Sequence, residues 1–451
     1  MSDSNIEKSF DLNSAVQHLA DSIKIKTISY PDHEKMDFKL FDEFLLFLEN
    51  TYPNIKKACK KELVNGYCPI YIWESQGNSN KPVLLLGHYD VVPIEKDSEA
   101  DWEEAPFSGT IKDDHIWGRG SLDDKNQVIA VMEAVEHLIS NGFKPERDIY
   151  MVFGFDEEIG GMRGAEEAAR IFRERNIEFE CVIDEGGCII TDMLEGLTVP
   201  AAIIGIAEKG STNIKITVED KGGHSSMPPG STAIGTIARI ISNVENNPMP
   251  ARLTMPVKEM LKTMAPYMKE KKFVLKNIDR LFPIISSMLA KSPLTNALIR
   301  TTIAFTMNGG GDAPNVLPQK AWTVANLRVL QGDSVDSTLE HIKKVNPGIN
   351  FQIEKMLAEE PSEISSIDSE PYKILGSIIN GIYPEAVIVP YLMIGGTDSR
   401  KYLGSCKNIY RFSAVILTKK DNASIHSSNE RISIINFSNM ICFYIRFLSL
   451  N

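Results

Sequence analysis

The sequence predicts an α/β protein in which a mixed, largely parallel sheet flanked by helices is interrupted by an inserted α+β unit. Three observations carry this. Short, continuously apolar runs at residues 83–86, 149–155 and 181–183 are what strands buried on both faces require. Stretches with helical spacing of apolar residues separate them. At residues 211–219 the pattern changes to apolar/polar alternation, the mark of a half-buried strand. A chain of 451 residues exceeds what one core usually supports, so two domains are expected. The predicted boundaries are 1–210 and 330–451 for the sheet-centred domain and 211–329 for the insertion.

Composition narrows the function classes. The net charge of −12 argues against a nucleic-acid surface. The N-terminal MSDSNIEKSFDLNS has neither a basic start nor an apolar core segment, which predicts a protein kept in the cytoplasm. The six cysteines are dispersed without CxxC spacing, as expected of reduced thiols rather than disulfides or a thiolate metal site.

In chain order, residues 13–25 and 41–49 have helical spacing and 69–74 read as a strand. The run 83–86 follows, with Gly87 expected to let the chain leave it and His88 and Asp90 just beyond. Ligands bind at that edge of an open α/β sheet, so His-x-Asp there suits a metal ligand with an orienting carboxylate. A satisfied structural histidine is the plainer alternative. The loop 91–118 carries Trp102 and Trp117 and runs into GRGSLDDK, where Asp123 and Asp124 precede the helical residues 128–139 as ligands or as helix caps.

The strand at 149–155 ends in Asp156-Glu157-Glu158. Metal-assisted hydrolysis needs two carboxylates, one to bind metal and one to accept a proton from water. A helix at 165–175 leads to the strand at 181–183, which ends in Asp184-Glu185, and either carboxylate can reach from that turn. In the insertion, 211–219 precedes the loop GGHSSMPP and a helix at 232–244, with strands at 301–307 and 322–330. Beyond it come a helix at 335–344, strands at 351–355 and 387–394 around a helix at 372–382, GGTDSR, a last strand at 408–417, and HSSNE. The apolar stretch 432–450 is interrupted by Ser433, Asn436, Ser438, Asn439 and Arg446, which predicts a C-terminal helix packed on the sheet rather than a membrane span.

Taken together, GHYDVVP, GRGSLDDKNQ, DEEIGG, DEGG, GGHSSMPP, APNVLP and a late histidine resemble the aminoacylase and carboxypeptidase family of co-catalytic two-zinc amidohydrolases, in the family's order from His88 to His426. The DEGG and EKGS…GGHSS…PP segments most resemble the branch of carboxypeptidase S and the N-acyl-amino-acid hydrolases. The resemblance implies a catalytic domain with an inserted lid. It implies one metal held by His88, a bridging Asp123 and Glu185, and a second held by Asp123, Glu158 and His426. Nitrogen and carboxylate donors suit zinc, with manganese or cobalt as substitutes. Two such ions would lie about 3.5–4 Å apart.

In the same resemblance Asp90 orients His88, and Glu157 is the general base that takes a proton from the water between the metals and returns it to the leaving amine. His224 stabilises the oxyanion, from the partner subunit in several relatives, so a homodimer through the lid is implied. Asn315, Arg328 and Arg400 match substrate-binding positions, a guanidinium being suited to a free carboxylate. Asn126 stands where many relatives have glycine, and HSSNE replaces His-x-x-Asp-Glu; neither removes a ligand.

The implied activity is cleavage of the amide next to a C-terminal amino acid in a short peptide or an N-acyl amino acid, with no nucleic-acid or membrane partner. A catalytically silent relative serving as a binding or scaffold protein would have lost the base or a ligand, and here all are present. A doubly wound nucleotide-binding protein would carry a GxGxxG or P-loop after its first strand, and none is found.

Overall fold

The computed structural model describes residues 10–451 except 78–79 and 270–271. Residues 1–9, on which the targeting expectation partly rests, lie outside the described residues. Two sheets hold most of the strands. In chain order these are β1 (Lys60–Val64), β2 (Cys68–Trp73), β3 (Val83–His88), β4 (Ile149–Gly154), β5 (Cys181–Asp184), β6 (Ile189–Ile190), β7 (Ala201–Glu208), β8 (Gly210–Glu219), β9 (Thr302–Gly309), β10 (Lys320–Val329), β11 (Gln352–Glu359), β12 (Val387–Met393), β13 (Ile409–Arg411) and β14 (Ile416–Leu417). The larger sheet runs β1-β2-β4-β3-β5-β13-β7-β6-β14, with β12 beside β7. It is mixed, and parallel through β4, β3, β5 and β13.

Every residue of β3, β4 and β5 is buried, which is why these strands read as unbroken apolar runs. Helices cover both faces. Gly87 pairs with Phe153 and so shares its face, where a Cβ on Gly87 would press on Val128 of the helix Lys125–Ser140. Tyr150, three residues from Phe153 and therefore on the other face, packs edge-on against Phe172 of the helix Ala165–Glu174. Gly87 thus lies within β3 rather than ending it, and serves to let a helix approach. The C-terminal helix Ile434–Ser449 packs beside Lys125–Ser140 and sets Phe443 against Phe412. Among the described residues no helix is long and apolar enough to cross a membrane. None of the six cysteines is in a disulfide, and four of them are buried.

The second sheet is antiparallel, in the order β9-β10-β8-β11. Its core joins Ile214 and Ile216 of β8, Ile237 and Ile240 of the helix Ala233–Asn246, and Val335, Leu339 and Ile342 of the helix Val335–Lys344. The helix and strand that the sequence assigns to the returning domain therefore belong with the insertion. Conversely, Val257, Met260 and Met264 of the helix Met255–Met264, with Leu298 and Ile299, are buried in the first core, where that helix covers the edge strand β12. We propose boundaries on packing: the second domain comprises about residues 210–248 and 301–360, and the first takes the rest. Sequence periodicity places helices and strands, but the burial that allots them to a core is set by contacts distant in sequence. The expected last strand, 408–417, is two short strands, Ile409–Arg411 and Ile416–Leu417, separated by four residues of irregular chain.

Of the four crossings that these boundaries imply, those near residues 210 and 360 lie side by side. A Cβ on Gly210 would strike the Glu359 carbonyl and Pro361 nitrogen, so the close passage needs glycine there. Buried Glu208 accepts from Arg411 (2.9 Å) and from Thr397 (2.9 Å), fixing this junction to the larger sheet.

Candidate metal centre

Three strand ends and two loops bring two imidazoles and four carboxylates together. His88, the last residue of β3, is 1% exposed. Its Nε2 lies 3.0 Å from Asp123 Oδ1, 3.3 Å from Glu185 Oε1 and 3.9 Å from Glu157 Oε2. Across Asp123, whose other oxygen is 2.9 Å from His426 Nε2, the His426 ring also meets Glu158 at 3.2 Å. Asp123 thus stands between two histidines, one with Glu185 and the other with Glu158.

The supporting contacts explain the spacing of the motifs. Asp90 is fully buried and its two oxygens accept the backbone N–H groups of Glu157 (3.1 Å) and Glu158 (3.2 Å), while its own carbonyl faces His88 Nδ1 at 3.0 Å. One residue therefore aims both the imidazole and the carboxylate pair. Asp124 begins the helix Lys125–Ser140 but makes no capping bond; its Oδ2 accepts the His88 N–H at 3.3 Å. The helix-cap alternative is therefore not what this pair does. The choice between Asp184 and Glu185 is also visible: Asp184 accepts from the N–H groups of Glu185 (2.9 Å) and Ser399 (2.8 Å), and Glu185 is the one facing His88.

Glu430, Arg119 and Asp398 complete the site and were not singled out from the sequence. Glu430, 0% exposed, pairs with Arg119 Nη1 at 2.6 Å and accepts the N–H groups of Gly120 (2.9 Å), Leu122 (2.9 Å) and Asp123 (3.3 Å). It ties the loop bearing Asp123 to the loop bearing His426. Its position in HSSNE, beside a GRG turn containing an arginine, was the available signal. Asp398, in GGTDSR, packs where a Cβ on Gly154 or Gly161 would collide with its carboxylate, behind Glu157.

So many carboxylates in a dry place perturb one another. Burial, and then the neighbouring Asp123, push the Glu185 carboxyl up to about 7. Burial likewise raises Glu157 well above the usual carboxylate range against the opposing pull of His88. Asp123, although buried, is held below that range by His426 and His88. Its hydrogen bond, followed by that of Glu158, pushes His426 up to about 10.

The donor set fits divalent metal. The atoms are nitrogen and oxygen without thiolate, and two groups of three donors, His88 with Asp123 and Glu158 and His88 with Asp124 and Glu185, each lie within 4.8 Å. Among the described residues the buried oxygens Glu158 Oε1 and Asp124 Oδ1 have no hydrogen-bond partner, which leaves them lone pairs a cation can use.

Residues 84–450 match the model of peptidase family M20/M25/M40. The chain belongs to this family. It is 38% identical over 441 residues to probable carboxypeptidase S-like 2 of Dictyostelium discoideum, covering 95% of this chain and 83% of that one. It is 32% identical to the mouse N-fatty-acyl-amino acid synthase/hydrolase PM20D1 (95% and 86% covered) and 31% identical to carboxypeptidase S of Saccharomyces cerevisiae (97% and 84%). The fold matches an M20 family metallo-carboxypeptidase from Sulfolobus solfataricus with a TM-score of 0.71 at 21% identity, covering 97% of this chain and 98% of that one. This M20 chain is accordingly an enzyme of the metallopeptidase and amidohydrolase type, and its family uses divalent metal.

The remaining predicted residues lie apart from the cluster. His224 is exposed in the second domain, in a two-residue strand beside Val316, and its Nδ1 accepts from the Ser226 N–H at 3.2 Å and meets Ser226 Oγ at 2.7 Å. Asn315 is exposed next to it, its carbonyl accepting from Ser225. Arg328 is half-buried on β10 and donates to Asn326 at 3.2 Å. Arg400 differs from the expectation of a substrate contact: it pairs with Glu359 at 2.8 Å and donates to the carbonyls of Glu360 (3.1 Å) and Lys209 (3.3 Å). Its guanidinium is spent tying the interdomain junction.

Proposed function

We propose that the M20 chain cleaves the amide next to a C-terminal amino acid in short peptides or N-acyl amino acids, with two zinc ions as cofactors. The carrying observation is the convergence on Asp123 of His88 with Glu185 from one side and His426 with Glu158 from the other. In this reading those five residues would hold the metal pair, with Asp123 shared between the two sides. Bound there, the ions would supply Lewis acidity and a water of lowered pKa.

In the same reading Glu157, whose backbone N–H Asp90 accepts, serves as the base rather than as a ligand. Its burial-raised carboxyl is suited to take a proton from the attacking water and give it to the leaving amine. Because the Ser226 N–H points at Nδ1, the neutral His224 ring carries its proton on Nε2, the form that can donate to an oxyanion. We assign His224 and Asn315 to a closed arrangement of the two domains or to the partner subunit, since β9 is an open edge strand with Met307 exposed, a surface a second copy can use. For the substrate carboxylate Arg328 is favoured over Arg400: burial and the nearby Arg400 charge lower its pKa, so an anion there would be welcome.

The test is metal analysis of purified protein with a panel of dipeptides and N-acyl amino acids, for wild type and Glu157→Gln. Divalent metal together with turnover lost in the variant supports the assignment. Metal-free protein, or a Glu157→Gln variant as active as wild type, ends it. Mixing His224→Ala with Glu157→Gln chains separates the two sources of His224: recovered turnover means that it acts across subunits.

A further inference from the structure

A surface amphipathic helix ordinarily turns its apolar side inward and its polar side to water. The helix Ile278–Leu289 breaks this rule on its outer side. Ile284 is 72% and Met288 52% exposed, and with Arg280 they stand at i, i+4 and i+8, a single stripe along the helix. The short helix before it exposes Phe273 at 74%, and the helix after it exposes Leu294 at 40%.

Cations are interleaved with these side chains along the segment. Lys272, Lys276, Arg280 and Lys291 are all exposed in the same segment. The acidic Asp279 beside the stripe is already neutralised by Lys258 at 2.8 Å and Lys262 at 2.7 Å. A basic, apolar rim is thus carried by a chain whose net charge is −12. The inner sides of these helices join the first core through Leu298 and Ile299, so the rim sits on a firm base.

We infer that the segment around Phe273, Ile284 and Met288 docks the enzyme on an anionic lipid surface. The apolar side chains enter the boundary between headgroups and acyl chains while the lysines and Arg280 meet lipid phosphate and carboxylate. A second copy of this chain is a poorer occupant, because a rim of like cations facing its twin is repulsive unless acidic groups answer it, and the acidic residue beside the stripe is already paired. Docking of this kind needs no spanning segment, because the side chains enter only the interfacial layer. This inference holds whichever amide the enzyme cleaves.

The experiment is co-sedimentation of the 451-residue chain with vesicles of phosphatidylcholine alone or with phosphatidylserine at about one lipid in three. The expected result is binding to the anionic vesicles, weakened by salt. A combined Phe273→Glu, Ile284→Glu variant should bind at least about tenfold more weakly. Its unfolding midpoint and its turnover of a water-soluble substrate should be unchanged. A second variant, Lys272→Glu with Lys276→Glu, should lose the preference for anionic lipid. Equal binding to both vesicle types, or undiminished binding by the variants, overturns the inference. So does a wild-type dimer that the variants dissolve without any vesicle binding, which makes the rim a subunit interface.

Discussion

Removing Glu430 should separate the stability of the Asp123 loop from its aim. The Glu430 carboxylate makes a buried ion pair with Arg119 at 2.6 Å and accepts three N–H groups from Gly120, Leu122 and Asp123. Breaking a buried pair from one side costs about 3–5 kcal/mol, because the surviving charge is left unanswered. Glu430→Leu should therefore cost that much, measured by denaturant unfolding of metal-free protein. Adding Arg119→Met removes the orphaned guanidinium, and the double variant should recover part of the loss.

Metal affinity should not recover in parallel. The N–H groups of Gly120, Leu122 and Asp123 still lack their acceptor in the double variant, so the loop that presents Asp123 is no longer aimed. Supporting contacts of this sort are worth about 10–100-fold in metal affinity. Competition between each variant and a chelator for zinc reads this directly. Zinc affinity equal to wild type in both Glu430 variants would refute the argument that this pair positions Asp123.

Other outcomes follow from the same geometry. Glu157→Gln should retain metal and lose about 10²–10⁴-fold in kcat, checked by metal analysis beside steady-state turnover; an equal loss of metal would move Glu157 from base to ligand. His426, pushed up to about 10 by Asp123, carries a proton near neutral pH in the metal-free protein and must release it to ligate. Zinc affinity should thus climb with pH below that value, by about tenfold per unit for each proton released, and calorimetry in buffers of different ionisation enthalpy should detect the proton. Buried Lys125, whose Nζ donates to the carbonyls of Ser22 (2.8 Å) and Ile25 (2.5 Å), is lowered by burial to about 7. From there up to its unfolded value the unfolded chain binds the extra proton, so stability should rise with pH, by on the order of 1.4 kcal/mol per unit. Lys125→Met should flatten that slope, as followed by unfolding midpoints across the range. Arg328→Ala should raise KM for substrates with a free carboxylate and leave their carboxamide analogues unaffected, in a comparison of paired substrates.

The sequence alone determined the strand ends that carry His88, Glu157, Glu158 and Glu185, because a strand buried on both faces must be apolar throughout and the first polar residues after it are conspicuous. It also carried the order of motifs that places the chain in its family. Tertiary structure alone decided that Asp124 serves His88 rather than capping a helix, that Asp184 bonds backbone while Glu185 faces the cluster, and that Arg400 is occupied by Glu359. It also decided which core receives the helices at Val335–Lys344 and Met255–Met264. These are questions of direction and partner. Neighbouring residues share a position in sequence but not a direction in space, and Glu430 reaches Asp123 across 307 residues of chain. Such a pairing leaves no local period or spacing to read, since only the folded sheet brings its two ends together.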